Sequence, residues 1–391
     1  MQKIPVYLFL LCFTCPGLSQ SPISGYLLDS ETAEPLAFAT IYVNGTTTGA
    51  VSREDGFFEL PVEHYPADVI VSHVGYVSLV QTLNAPPRDT LYMYLTMHPF
   101  ELGEVNVVDQ NQRKKNLAEF RKAFLGTGTF GQKATILNED VLFFQRDYQQ
   151  RKLPPGISLT GQATEKSDVD SDLKKAVNLQ ARSRAPLQIE QPATGYTIQV
   201  DLIQFVNQYG SSSSTSWLGF YYFIPWEDQG KGRPRRFLRK RKQAYYNSSQ
   251  HFLSALYQRR LAEEGYQVFE RRRNEQNGQI DYVAFDLYAQ VVRIDEQTSA
   301  VEGLAGKTLE ILFYGKANGT PRPIKKRPKG QPVPSAVQFI EPYCQFRANG
   351  TIPDTNIRFG GAISDKKVGA MLPDNYAPNE DEEVEESDNA Y

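Results

Sequence analysis

Few residues in this 391-residue chain have the types and spacing for chemistry; it holds four histidines and three cysteines. His98-Pro-Phe-Glu101 has the His-x-x-Glu spacing of a zinc ligand pair. A working zinc site also needs a third ligand and a general base. Pro99 stiffens the pair and the next histidine is His251, so the match reads as chance and no metal is expected. His251 lies beside the apolar face of a helical stretch and reads first as a core histidine bonded to a neighbour. The competing reading makes it the centre of a hydrolase acting on peptide or glycan. Spacing names no nucleophile or carboxylate for it; only a fold can group Asp201, Tyr245 and His251. Cys344 has no catalytic context and reads as a small buried side chain. There is no Gly-x-Ser-x-Gly elbow, no P-loop and no Gly-x-Gly-x-x-Gly, so no cofactor is expected.

One charged stretch stands out. Lys231 to Lys242 contains Lys231, Arg233, Arg235, Arg236, Arg239, Lys240, Arg241 and Lys242, close to the aromatic run Trp217 to Trp226. Basic and aromatic residues together have the look of a nucleic-acid surface. Against that, the net charge is -3 and the pI is near 5.9. The expected reading is a solvated basic face, or contact with an anionic partner such as lipid headgroups, a glycan or an acidic protein. Trp217, Tyr221, Trp226, Arg235, Arg236, Arg239 and His251 are the candidate binding residues; nucleic acid is not an expected partner.

The first residues suggest a compartment. Lys3, the short apolar run Val6 to Phe13 and the break at Pro16-Gly17 predict a secretory signal over residues 1–20. The apolar run is shorter than the roughly 20 residues a membrane span needs. With Cys12 and Cys15 in the leader, Cys344 would remain alone, which excludes an intramolecular disulfide in the mature chain. Four Asn-x-Ser/Thr triplets, at Asn44, Asn247, Asn318 and Asn349, read as turns rather than glycan sites. The composition, 40% hydrophobic and 22% charged, is that of a globular protein.

Residues 21–109 read as a small β-sandwich. Ile23 to Leu27, Ala37 to Val43, Phe57 to Leu60, Val69 to Val74, Tyr92 to Met97 and Glu104 to Val108 are β-rich and separated by turn residues. Asp55-Gly56 is a tight turn, since aspartate bonds its own backbone and glycine takes positive φ. The spaced pattern Gly25…Asp29…Glu34-Pro-Leu36…Asp55-Gly-x-Phe58…Gly75-Tyr76 resembles the carboxypeptidase regulatory-like domain. That resemblance implies a transthyretin-like β-sandwich found in envelope proteins of Bacteroidota and as the N-terminal extension of their TonB-dependent transporters. Asp55, Gly56, Phe58, Gly75 and Tyr76 would be structural positions of that module. Likeness to a peptidase's accessory domain does not imply peptidase activity.

Residues 110–375 read as a larger β-rich α+β region, so the whole is expected to be mainly β. Gln110 to Lys115 is a polar linker, and Leu117 to Leu125 has helical spacing. Tyr196, Ile198, Val200 and Leu202 share one face of a strand. Gln243 to Glu264 is the long helix, with Gly265 after it as a C′ residue. The Asn277-Gly278 turn joins a hairpin. Phe120…Phe124-Leu-Gly126, Pro186 to Ile189, Gly195 to Leu202, His251-Phe-Leu253 and Leu372-Pro-x-x-Tyr376 resemble longer proteins that carry the same regulatory-like domain. Residues 376–391 form an acidic tail, expected to be disordered. An outer-membrane barrel is disfavoured, because a helix interrupts the strands and lipid-facing strands are too few. These readings converge on a non-enzymatic exported protein of the periplasm or the periplasmic face of the outer membrane. It would bind or scaffold another envelope protein or a glycan, and peripheral membrane association is compatible with it.

Overall fold

The computed structural model describes residues 22–97, 110–150, 174–210, 213–227, 235–275, 277–315, 321, 331–353 and 356–378. The expected leader, the His98–Glu101 pair, the strand at Glu104–Val108, residues 231–234 and most of the acidic tail lie outside them.

The N-terminal part holds β1 (Ile23–Asp29), β2 (Thr40–Val43), β3 (Gly49–Val51), β4 (Phe57–Leu60), β5 (Ala67–Ser72), β6 (Leu79–Leu83) and β7 (Leu91–Leu95). They form two sheets, ordered β4-β1-β7 and β3-β2-β5-β6. β1 buries every second residue, as a strand with one covered face must. Leu27, Ile41, Phe58, Leu60, Val69 and Val71 fill the space between the sheets. Each such side chain contributes about 1.5–3 kcal/mol by leaving water. Asp55 accepts the amide of Phe57 at 3.0 Å. Gly56 has φ +77°, and a Cβ there would stand 2.6 Å from the Leu27 carbonyl. Gly75 also takes positive φ, and the Tyr76 hydroxyl beyond it donates to Asp29 at 2.8 Å. Asp29 further accepts the amides of Glu31 and Thr32. Those backbone bonds, with Tyr76 behind them, hold its carboxyl below the usual carboxylate range.

The rest of the chain is built around two further cores. The first is formed by α1 (Gln110–Leu125), β8 (Thr135–Ile136), β9 (Leu142–Gln150), β10 (Lys174–Ser183), β11 (Leu187–Gln191), β12 (Tyr196–Gln208) and β13 (Ser214–Pro225). One edge of β12 is shared by β11 and β10, and its other edge pairs with β13 along its whole length. Tyr196, Ile198, Val200 and Leu202 enter this core with Phe120 and Phe124. The polar stretch at Gln110–Lys115 is not a linker but the first turns of α1. Its polar side chains are fastened: Arg113 donates to the carbonyls of Leu142 and Glu139 at 2.9 Å each.

Two helices follow, α2 (Arg235–Tyr245) and α3 (Ser249–Tyr257), and α3 packs on the second core. It is completed by β14 (Tyr266–Arg273), β15 (Ile280–Ala284), β16 (Val291–Arg293), β17 (Thr298–Glu302), β18 (Thr308–Phe313), β19 (Val333–Phe339), β20 (Tyr343–Arg347) and β21 (Ile357–Gly361). The sheets run β15-β14-β18-β19-β21 and β16-β17-β20. The single long helix expected over Gln243–Glu264 is instead two helices, the first starting inside the basic run. Two local features break it. Asn247 takes φ +60°, and Ser248 caps α3 by accepting the His251 amide at 3.1 Å.

The sandwich is joined to the first of these cores through backbone. The Gly45 amide donates to the Tyr221 carbonyl at 2.7 Å, and the Phe223 amide to the Thr46 carbonyl at 3.0 Å. Thr46 and Tyr222 thus form a parallel bridge on the free edge of β13. The Asn44 side chain accepts the Tyr221 amide at 3.0 Å. Tyr42 and Tyr222 stack with ring centroids 5.1 Å apart. Gly49 leaves room for the Tyr222 ring, which a Cβ would meet at 2.3 Å. Asp374 adds its amide to the Gly45 carbonyl at 2.7 Å. An exposed strand edge is a template for pairing, and here the chain covers it with its own turn.

Candidate functional site

His251 is the residue around which chemistry was conceivable. As the third residue of the capped α3, it is 2% exposed. Its Nδ1 receives the Asn247 amide at 3.1 Å and faces the Tyr266 hydroxyl at 2.8 Å. A backbone amide can only donate, so Nδ1 is the acceptor and the ring proton sits on Nε2. That N–H donates to Glu264 Oε2 at 3.1 Å. Rings of Tyr245, Tyr246, Tyr266 and Phe313 enclose the imidazole, with centroids 5.1–6.1 Å away. Burial pushes the His251 pKa down, against the opposing pull of Glu264. The hydrogen bond from His251 lowers the Glu264 pKa, and burial raises that of Tyr266 well above the ordinary phenol.

Both ring nitrogens are therefore committed to the protein, and one carboxylate is present. Tyr245 does join His251, but Asp201 belongs elsewhere. It accepts the Ser78 hydroxyl on the face of β12 that the sandwich approaches, and burial raises its pKa. Nearby, Lys366 seals the end of α2 by donating to the carbonyls of Gln243, Ala244 and Tyr246. Burial pulls its pKa down to about 7. The three carbonyls at the negative end of the helix dipole favour the ammonium.

The aromatic candidates are packing residues to a large extent. Trp217 meets Phe124 edge-on at 5.7 Å and carries Lys367 over its ring. Trp226 meets Phe237 at 5.8 Å and donates from its indole to Thr197 at 3.1 Å. Tyr221 lends its backbone to the sandwich, and burial raises its phenol pKa. The basic run divides by helical period. Phe237, Leu238, Arg241, Ala244 and Tyr245 point inward. Arg241 is buried, bonded to the Thr194 carbonyl at 2.8 Å and held by both oxygens of Glu227. Arg235, Arg236 and Arg239 are exposed on the outer face of α2. Trp226 thus touches α2 through the buried Phe237 rather than through the exposed arginines, while Trp217 packs on α1 through Phe124.

The Cys344 thiol is fully buried, 3.3 Å from the carbonyls of Glu341 and Asn356. Among the described residues no group of three or more His, Cys, Asp and Glu could hold a metal ion. No described helix is long and apolar enough to cross a membrane. Sequence reasoning missed Glu264, Tyr266 and Lys366. They reach His251 and α2 from other elements, and nothing in the local sequence marks them.

Residues 23–107 match the family described as CarboxypepD_reg-like domain, so the sandwich is a module of that family. It is a regulatory-like, non-catalytic module. No curated protein matches the chain.

Proposed function

We propose that the protein is a non-enzymatic, exported component of a bacterial cell envelope that binds or scaffolds another envelope protein or a glycan. The observation that carries this reading is the state of His251. It is buried, its nitrogens are bonded within the protein, and it has no face left for a substrate. The non-catalytic N-terminal module points the same way. The arginine face of α2, with Arg235, Arg236 and Arg239, is the surface for the partner, which would be acidic or carry anionic groups. The same face would support peripheral association with anionic headgroups. Export rests on the leader read from residues 1–20.

Deleting the sandwich would uncover the edge of β13 and strip Tyr222 of its stacking partner, so point variants test the surface more cleanly. The measurement is cell fractionation followed by affinity capture from the native envelope, with the wild type beside an Arg235→Glu, Arg236→Glu, Arg239→Glu variant. The wild type should fractionate with the envelope and retain a component that the variant loses at unchanged Tm. Equal recovery by both chains would remove α2 as the binding face. A cytosolic location would remove the envelope reading.

A further inference from the structure

The far end of α3 differs from its closed beginning. A cleft of about 500 Å³ opens there, lined by Tyr257, Gln258, Arg259, Arg260, Arg293 and Ser299. That volume is within the range of small-molecule sites, roughly 300–1,000 Å³. Three guanidinium groups face it, and they are not equivalent. Arg260 is tied to Glu263 at 2.7 Å and to Glu264 at 3.4 Å. Arg259 lies over the Tyr288 ring at 5.6 Å, and Arg293 lies over the Tyr257 ring at 4.2 Å. Stacking occupies the face of a guanidinium and leaves most of its in-plane N–H groups available. Arg293 gives one of these to the Tyr257 hydroxyl. Asp295 interacts electrostatically with Arg293, and its carboxylate is bonded to the amides of Gln297 and Thr298.

Arg259 is also in an unusual backbone position. The Arg260 amide donates to the Ala255 carbonyl at 2.8 Å, and the Arg259 amide to the Leu256 carbonyl at 3.1 Å. This pair of bonds defines a Schellman motif with Arg259 at C′. Arg259 accordingly has φ +58°. Glycine normally fills that position, because a Cβ is penalised there. Here an arginine is kept at a strained position, and its side chain lines the cleft.

We infer that this cleft binds a small ligand bearing a phosphate or carboxylate group, with Arg259 and Arg293 holding the oxyanion. Gln258, which is exposed, supplies a neutral polar contact to the rest of the ligand, while Ser299 lines the cleft as a buried residue. The site is independent of the α2 surface and of its partner.

The test is calorimetric titration of the full chain with inorganic phosphate, with glucuronate, and with uncharged glucose as control. One or both anions should saturate a single site, binding should weaken as salt is raised, and glucose should give no saturable signal. The two anions distinguish a phosphate from a carboxylate ligand. Arg259→Gly should weaken binding about tenfold or more, as loss of a charge-assisted contact does. Its Tm should hold or rise, because glycine suits the C′ position. Arg293→Gln should weaken binding similarly, while Arg273→Gln, an exposed arginine outside the cleft, should change nothing. Any of three results would overturn the assignment: no saturation by either anion, wild-type affinity in both cleft variants, or equal loss in Arg273→Gln. A clear fall in the Tm of Arg259→Gly with affinity retained would show that Arg259 serves its stack on Tyr288, and would equally overturn it.

Discussion

The two ends of α3 set opposite problems in nine residues. At the beginning, His251 is buried with each ring nitrogen bonded and a shell of aromatic rings around it. At the end, Arg259 is strained in its backbone and stands over an open cleft. A histidine attracts attention in a sequence because its ordinary pKa lies near neutrality. Arginine is common and attracts none. Yet the satisfied histidine has no capacity left for a ligand, while the arginine has donors to offer. Buried polar groups with complete partners report on folding; strained, incompletely used ones are better pointers to function.

The largest expected effect breaks the closed end. His251→Ala removes the acceptor for the Asn247 amide and the Tyr266 hydroxyl and leaves a void among four rings. A loss of about 2–4 kcal/mol follows from unsatisfied buried groups and the cavity together. Chemical denaturation measures it. A loss below about 1 kcal/mol would show that His251 is not a structural centre. The wild type should also become less stable as pH falls below about 6.5. There the unfolded histidine takes up a proton that the folded one, with its lowered pKa, refuses.

A smaller effect concerns the seam between the sandwich and β13. Gly45 has φ +77°, and a Cβ there would stand 2.3 Å from the Asp374 carboxylate. Gly45→Val should cost roughly 1–3 kcal/mol through backbone strain and the lost approach. Limited proteolysis should then release the sandwich from the rest, whereas an intact seam under the same digestion would count against the contact. A further effect is electrostatic. The Asp374 residue keeps some exposure, but its carboxylate is enclosed, and burial pushes its pKa up to about 7. A raised carboxyl pKa gives stability that is full below pH 4 and is lost as pH rises toward 7. Asp374→Asn should therefore match the wild type at pH 4 and gain on it as pH is raised through 7 to 8, in thermal melts at the two pH values. An unchanged difference across that range would mean the carboxylate is solvated.

Parts of this organisation were legible in the sequence. The turn at Asp55-Gly56, the alternation in β1 and β12 and the Asn277-Gly278 hairpin depend on neighbours within a few residues, and local chemistry is sufficient for them. The helices were less legible. Gln110–Lys115 has polar side chains that read as solvent-facing until Arg113 finds two carbonyls near β9. The basic run at Arg235–Lys242 conceals an amphipathic helix, because Arg241 is charged yet buried by Glu227 and two carbonyls. Tyr376, assigned to the acidic tail, packs its ring against Tyr245 at 5.8 Å.

By itself the sequence determined the N-terminal module and the β-rich character, since patterning and turn chemistry are short-range. Only the tertiary structure decided the surroundings of His251, Trp217 and Arg259. Each owes its environment to residues from distant parts of the chain: Glu264 and Tyr266 for the histidine, Phe124 and Lys367 for the tryptophan, Tyr288 and Arg293 for the arginine. Burial and hydrogen-bond satisfaction are properties of that gathering, and no residue carries them alone.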